Sequence, residues 1–121
     1  MELNSLALAY LGDAVYELHI RNHLISKGIC KAAELQKEAI NYVSAKNQYK
    51  YLTEMIDNHF FTDEELNIIY RARNHKVDHK PKNCDIVTYK YATGLEAIIG
   101  YLYLNNNLKR IEEIMNYIKG E

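Results

Sequence analysis

Residues 6–25, LALAYLGDAVYELHIRNHLI, are the stretch that decides how the chain folds. On a helix with about 100° per residue, the apolar side chains of this stretch cover almost the whole circumference, and only the late residues His19, Arg21, Asn22 and His23 form a polar end. A helix that is apolar nearly all round is predicted to be buried. Asp13 lies at its centre, so we expect a buried carboxylate that needs a compensating group from elsewhere in the fold.

Two kinds of group could compensate Asp13: a basic side chain from another helix, or a metal ion with oxygen ligands. Glu17, one turn later, points roughly the same way as Asp13. Gly12 has no side chain, which lets another backbone or a ligand come close. From this helix alone, a buried salt bridge with Gly12 as a packing contact is the favoured interpretation.

Length and composition predict one domain that needs no disulfides. The chain has 121 residues, enough to bury a core. We find no membrane span and no export signal in the sequence. Cys30 and Cys84 are isolated thiols without metal-type spacing, so the expectation is a reduced, cytoplasmic protein.

The helical pattern extends over most of the chain, and no stretch has strand periodicity, so the predicted class is all-α. The first helix is expected to be capped by Asn4 or Ser5 and to run to Ser26, with Gly28 as the stop after its last turn. Residues 31–57 are helical by composition, with a possible break near Leu35. Further helices are predicted from a Thr62–Glu65 capping box to about Arg73, from Asn83 or Asp85 to Leu104, and from Leu108 to Ile118.

Basic charge is concentrated between residues 71 and 90. The whole chain has a net charge of −1, whereas this window is +4 and the remainder is therefore −5. Residues 74–82, NHKVDHKPK, have no apolar period and contain the only proline of the chain. They are predicted to form a basic loop.

Glu96 is a second acid among apolar helical turns. Ala92 and Gly100 lie one turn before and after it on the same face, which leaves room for another helix or a hydrated ion. Opposed helices could hold Asp13 and Glu96 around a divalent ion, with the basic loop contacting phosphates.

Four motifs, in this order along the chain, resemble one known family. LAYLGDAV (8–15) and GLEAIIGYLYL (94–104) are similar to the two hallmark motifs of the ribonuclease III endonuclease domain. With VSAKNQ (43–48) and RARNHK (71–76) followed by PKN (81–83), the chain resembles Mini-ribonuclease III, the stand-alone form of that catalytic domain. We therefore expect residues 1–121 to be a single catalytic domain without a double-stranded-RNA-binding domain.

This resemblance implies an all-helical homodimer that cuts double-stranded RNA with Mg²⁺ and matures the large-subunit (23S) ribosomal RNA precursor. Asp13 and Glu96 match the catalytic, metal-binding acids of the two motifs. The implied reaction is phosphodiester hydrolysis, in which the metal activates a water and stabilises charge on the phosphate and the departing 3′ oxygen.

The sequence departs from the larger ribonuclease III enzymes at two positions. Those enzymes carry further acids where this chain has Ala9 and Thr93. A site with two carboxylates still suits Mg²⁺, which keeps several waters. The departures support one alternative, an RNA-binding module of the same fold that has lost its chemistry. A third alternative is a structural helical protein whose two acids form internal salt bridges.

RNA contacts are expected in and beside the basic loop. A-form RNA exposes its phosphates and 2′-hydroxyls in a wide, shallow groove that long cationic side chains can reach. The alternative is a solvated charged loop without a ligand. The candidate RNA-binding residues are Arg71, Arg73, Asn74, Lys76, Lys80 and Lys82.

Overall fold

A computed structural model of the chain describes residues 3–77 and 84–121, and in these ranges all regular structure is α-helical. The predicted all-α class is confirmed. The helices are α1 (Ser5–Ser26), α2 (Ala32–Val43), α3 (Ala45–Asp57), α4 (Asp63–Arg73), α5 (Ile86–Leu104) and α6 (Leu108–Lys119).

The ends of the helices follow the capping signals in the sequence. The Asn4 side chain caps α1, and Gly28, with a φ of 92°, follows its last turn. Thr62 and Glu65 form both hydrogen bonds of a capping box at the start of α4. Asp85 caps α5. The other predicted cap for α5, Asn83, lies outside the described residues.

The break predicted near Leu35 is in the wrong place. Leu35 lies inside α2, and the helical segment is interrupted at Ser44 instead. Ser44 has an extended backbone with a ψ of 148°, and its hydroxyl accepts a hydrogen bond from the Asn47 amide at 3.3 Å. A serine that caps a new helix competes with continuation of the old one, which explains the interruption.

α5 is the central helix, and it packs against α1, α3 and α4. Its buried side chains include Leu95, Ile98 and Ile99, none of which exposes any surface. They meet Tyr16 of α1 and Leu52 of α3 in one apolar core. The middle of α5 therefore forms the centre of the core.

The prediction that α1 is buried all round is wrong. Its inner face is covered by the core, but Leu6, Tyr10, Leu18 and Ile25 expose 47%, 85%, 67% and 60% of their surface. The spacing of these four residues places them along one side of the helix. Apolar periodicity in one sequence does not distinguish a face that packs in the core from a face left uncovered in the single chain.

Arg110 joins α6 to the start of α4. Its guanidinium donates hydrogen bonds to both carboxylate oxygens of Glu65, at 2.8 and 2.9 Å, and to the Phe60 carbonyl at 2.6 Å. Burial alone would raise the pKa of Glu65, but these hydrogen bonds lower it.

No helix in the described part of the chain has the length and hydropathy of a bilayer span.

Candidate catalytic site

The site is built where α1 and α5 cross at two glycines. A Cβ atom on Gly12 would lie 1.7 Å from the Glu96 carbonyl oxygen and 2.8 Å from the Gly100 amide nitrogen. A Cβ atom on Gly100 would lie 2.0 Å from the Leu8 carbonyl oxygen. Only glycine permits the two backbones to touch in this way. The close approach predicted at Gly12 and Gly100 is therefore made by the opposing helix.

This crossing brings the carboxyl groups of Asp13 and Glu96 together. Asp13 follows Gly12 directly, and its side chain is within hydrogen-bonding reach of the Glu96 carboxyl. Burial, the hydrogen bond that the protonated Glu96 carboxyl donates to Asp13, and the charge of Asp13 raise the pKa of Glu96 to about 9. The structure therefore places the two predicted acids next to each other.

The prediction that Asp13 is buried is wrong for the single chain. Asp13 is exposed, and Glu96 is partly buried below it. The reason is that Asp13 lies on the outer side of α1, close to the exposed Tyr10. A water molecule, an ion or a phosphate can therefore reach the acid pair from solvent without crossing the core.

The predicted alternative, in which a basic side chain neutralises each acid, is not what the described residues show. Among residues 3–77 and 84–121, the ion pairs do not include Asp13 or Glu96. In the same ranges, no group of three or more His, Cys, Asp and Glu side chains is arranged to hold a metal. A metal here would have two carboxylates as its protein ligands.

Glu17 lies close to the pair but has its own partner. Its carboxylate accepts a hydrogen bond from Arg21 at 3.0 Å, in an ion pair between successive turns of α1. Its charge also contributes to the raised pKa of Glu96. Glu17 therefore adds negative potential near the site, while its side chain is engaged with Arg21.

Ala9 and Thr93, the two positions where larger relatives carry acids, are both closed to solvent. Ala9 is 6% exposed and Thr93 is 7% exposed. The Thr93 hydroxyl donates a hydrogen bond to the Tyr89 carbonyl at 2.9 Å, so it is engaged by its own helix. Neither side chain therefore adds a carboxylate to the pair formed by Asp13 and Glu96.

Gln48, on α3, is a site residue that our sequence analysis did not single out. It is 3% exposed, and its side chain lowers the pKa of Glu96, against the larger effects of burial and Asp13. Gln48 lies on the same face of α3 as the buried Leu52 and Met55. The signal in the sequence was a polar residue at a helical position whose neighbours one and two turns later are apolar.

Arg73 and Asn74, both predicted to bind RNA, lie together at the end of α4. The Arg73 Nε donates a hydrogen bond to Asn74 Oδ1 at 3.0 Å. The guanidinium carbon of Arg73 is 4.3 Å from the centre of the Tyr70 ring and 5.4 Å from that of Tyr91. Arg73 is thus held in a fixed place by cation–π contacts.

The other four candidate RNA-binding residues are less constrained or cannot be placed. Arg71 and Lys76 are exposed, on α4 and just after it. Lys80 and Lys82 lie outside the described residues, so their part in the predicted contact surface stays a prediction.

Comparisons of the sequence and of the structure with known proteins agree with each other. A family model described as "Ribonuclease III domain" matches residues 6–107. Mini-ribonuclease 3 of Streptococcus pneumoniae is 44% identical over 95% of this chain and 90% of the relative, and that of Brevibacillus brevis is 47% identical over 93% and 82%. A crystal structure of a Fusobacterium nucleatum protein, 38% identical, superimposes with a TM-score of 0.86 over 98% of this chain and 94% of that one.

The fold, the two acids at the glycine crossing and the family match define the class of protein: the chain belongs to the ribonuclease III family and is an endoribonuclease. Within that family it groups with the Mini-ribonuclease 3 proteins, which are 36% to 47% identical to it over most of its length.

Proposed function

We propose that this chain is a Mg²⁺-dependent endoribonuclease that hydrolyses phosphodiester bonds in double-stranded RNA, with Asp13 and Glu96 as its catalytic, metal-binding residues. The observation that carries this proposal is the convergence of the two carboxyl groups at the crossing of α1 and α5. The pair is open to solvent on the Asp13 side, where a scissile phosphate can approach.

The acid pair fits a divalent metal by its chemistry. Two carboxyl groups this close repel each other when both are ionised, and a divalent cation between them relieves that repulsion. Mg²⁺ binds through one or two carboxylates and keeps several waters, so a third protein ligand is not needed. When bound, the ion supplies the charge that activates a water and stabilises the departing oxygen. Glu96 must release its proton to take part.

RNA binding is proposed for the basic residues that follow α4. Arg73, fixed against Tyr70 and Tyr91, presents a charged group beside Asn74, and Lys76 extends into solvent. Arg71, Lys80 and Lys82 complete the proposed set. Residues 1–121 would then form a single catalytic domain that carries its own RNA-contact surface, and recognition would depend on A-form shape and phosphate charge.

A homodimer is part of the proposal. Leu6, Tyr10, Leu18 and Ile25 form an exposed apolar stripe along α1, and a second copy of the chain is the partner that the family resemblance implies. Asp13 lies about one helical turn after Tyr10, on the same side of α1. Two copies joined along α1 would therefore hold two acid pairs near one RNA duplex.

The proposed cellular substrate is the large-subunit (23S) ribosomal RNA precursor in the cytoplasm, as implied by the Mini-ribonuclease III resemblance. Cys30 and Cys84 are both free thiols, in keeping with a reducing compartment. The test is to map 23S ends in a strain lacking the gene. Unprocessed ends should accumulate, and wild-type protein should remove them whereas Asp13→Asn should not.

The biochemical test uses labelled duplex RNA with purified protein in Mg²⁺ or in EDTA. We expect cleavage only with Mg²⁺, and a loss of at least about 100-fold in rate for Asp13→Asn with RNA binding retained. Asp57→Asn, an exposed aspartate at the end of α3, is the matched control and should cleave normally. An unchanged rate for Asp13→Asn would remove Asp13 from the mechanism.

A second candidate is an RNA-binding module of the same fold without catalysis. The observation in its favour is that, among the described residues, the buried Ala9 and Thr93 add no carboxylate to Asp13 and Glu96. This alternative would be established if the wild-type protein binds duplex RNA but does not cleave it, either in Mg²⁺ or in EDTA.

A further inference from the structure

Tyr91, on α5, joins Arg73 to a second helix. The guanidinium carbon of Arg73 lies 5.4 Å from the centre of the Tyr91 ring, and Arg73 Nη1 donates a hydrogen bond to the Tyr91 hydroxyl at 3.4 Å. The other ring in contact with this guanidinium, Tyr70 at 4.3 Å, belongs to α4 itself. Arginine stacks favourably on aromatic rings at such distances. Of the two ring contacts, the Tyr91 contact is therefore the one that fixes Arg73 relative to α5.

Tyr91 is also supported by α3. Its ring and that of Tyr49 have centres 5.2 Å apart and planes inclined at 81°, the edge-to-face arrangement that aromatic pairs prefer. Tyr49, Tyr91 and Arg73 are all partly buried, so the cluster lies at the surface of the protein. Side chains of three helices thus meet at this cluster, with the Tyr91 ring between Tyr49 and Arg73 in the chain of contacts.

Arg73 has hydrogen-bonding capacity left for an anion. Its Nε donates to Asn74 Oδ1 and its Nη1 to Tyr91, and among residues 3–77 and 84–121 its Nη2 has no hydrogen-bond acceptor. In the same ranges Arg73 takes part in no ion pair. A guanidinium that is already oriented loses little further freedom when it binds a phosphate.

α5 connects this arginine with the acid pair. Tyr91 and Glu96 are five residues apart on the same uninterrupted helix, a rise of about 7.5 Å along its axis. A guanidinium that rests on Tyr91 therefore has a defined distance from the helix that carries Glu96.

We propose that Tyr91 is a positioning residue for RNA, whose ring holds the Arg73 guanidinium on α5 so that the backbone phosphate bound by Arg73 is in register with the phosphodiester at Asp13 and Glu96. This inference rests on the proposed function, because it gives Tyr91 a task in RNA binding by Arg73. A tyrosine that only covered the core would have the same effect whether or not Arg73 were present.

The test compares wild-type protein with Tyr91→Leu, which removes the ring, and with Tyr91→Phe, which removes only the hydroxyl. In EDTA, Tyr91→Leu should bind duplex RNA about threefold or more weakly, the effect expected when one cation–π contact is lost. In Mg²⁺ and saturating protein, its single-turnover cleavage rate should fall by a similar factor. Tyr91→Phe should restore both quantities, since the 3.4 Å hydrogen bond is long. Tyr103→Leu, at an exposed tyrosine near the end of α5, is the matched control and should behave as wild type.

A double-mutant cycle separates positioning from folding. In the Arg73→Gln background, Tyr91→Leu should weaken RNA binding no further, because its effect passes through Arg73. An equal loss in both backgrounds would overturn this inference alone, and so would wild-type affinity and rate in Tyr91→Leu. A wild type that does not bind duplex RNA would overturn the proposed function, and the inference with it.

Discussion

At the scale of single residues, Asp13 and Glu96 set up an electrostatic conflict that the chain alone does not resolve. The carboxyl groups are within hydrogen-bonding reach, and the pKa of Glu96 is raised to about 9 by burial and by Asp13. Gln48 offsets only part of this shift. Near neutral pH the pair therefore holds a proton, and a divalent cation is the natural replacement for that proton.

The stability of the metal-free protein should depend on this proton. The pKa of Glu96 in the folded chain, about 9, lies above its ordinary value of 4.5, so the folded state binds the proton more tightly than the unfolded state. The resulting stabilisation is complete below the ordinary pKa and is lost as the pH rises towards 9. Glu96→Gln, which is neutral at every pH, should therefore be more stable than wild type at pH 8, by about 1 to 3 kcal/mol.

Thermal unfolding in EDTA between pH 5 and 9 measures this difference, which should shrink towards pH 5. Glu112→Gln, on the exposed surface of α6, is the control and should follow the wild-type curve. A Glu96→Gln curve parallel to wild type over the whole range would show that Glu96 is ionised normally.

Much of the acid pair could be predicted from the sequence, but its surroundings could not. An acid among apolar turns, flanked by small residues, indicates a close helix contact, and Gly12 and Gly100 make that contact. Whether Asp13 faces the core or the solvent depends on which side of α1 is covered. Gln48 is distant in sequence from both acids and reaches Glu96 only through the packing of α3 on α5.

At the scale of helices, the glycine crossing determines the site. α1 and α5 touch through backbone atoms at Gly12 and Glu96. The positions of the two acids are therefore fixed by the main chains of both helices. Capping residues defined most helix ends in advance, because caps are local signals. The break at Ser44 escaped prediction, because a serine within a helical composition is compatible both with a cap and with a continuous helix.

Gly12→Ala should disrupt this crossing. The new Cβ would lie 1.7 Å from the Glu96 carbonyl oxygen, so the helices must move apart. We expect a loss of about 3 kcal/mol or more in the free energy of unfolding and near-complete loss of cleavage. Chemical denaturation and the duplex RNA assay measure the two effects.

Gly94→Ala is the matched control on the other side of α5. Its Cβ would meet the Ile69 carbonyl oxygen at 3.0 Å and the Ile69 Cγ2 at 3.1 Å, a tight contact that small shifts can relieve. Its cost should be about 1 kcal/mol or less, because alanine also favours the helix. If Gly12→Ala proves no more harmful than Gly94→Ala, the backbone contact does not hold the site together.

At the scale of the whole molecule, the apolar stripe on α1 is a surface that the single chain leaves uncovered. Tyr10, 85% exposed, is the most exposed of the large apolar residues. The sequence indicated that α1 is apolar nearly all round, but it could not show that one side of the helix is exposed in the single chain.

Tyr10→Glu should therefore produce a monomer. A charge placed in an apolar contact between two copies of α1 is unfavourable, so sedimentation should show the mass of one chain where wild type shows two. Cleavage of duplex RNA should fall with the loss of the dimer. Leu108→Glu, at an exposed apolar residue of α6, is the control and should stay dimeric. A monomeric wild type would contradict the proposed homodimer.

Substituting Lys76, Lys80 and Lys82 together by Gln should weaken RNA binding. Each phosphate contact that is lost also removes the release of a counterion, so the dependence of affinity on salt should become flatter. Binding titrations on duplex RNA at several salt concentrations measure both effects. Substituting Lys27, Lys31 and Lys37 by Gln changes the net charge equally and should leave the slope as in wild type. Equal behaviour of the two triple variants would exclude the basic loop as the contact surface.

The backbone contact between Gly12 and Glu96 also limits how this enzyme can evolve or be redesigned. The spacing of the two main chains that carry the acids is set by atoms common to every amino acid, so substituting neighbouring side chains cannot bring these main chains closer together. A laboratory search for a variant that prefers a larger cation should therefore vary the length of the acidic side chains themselves, as in Asp13→Glu, and leave the glycines untouched.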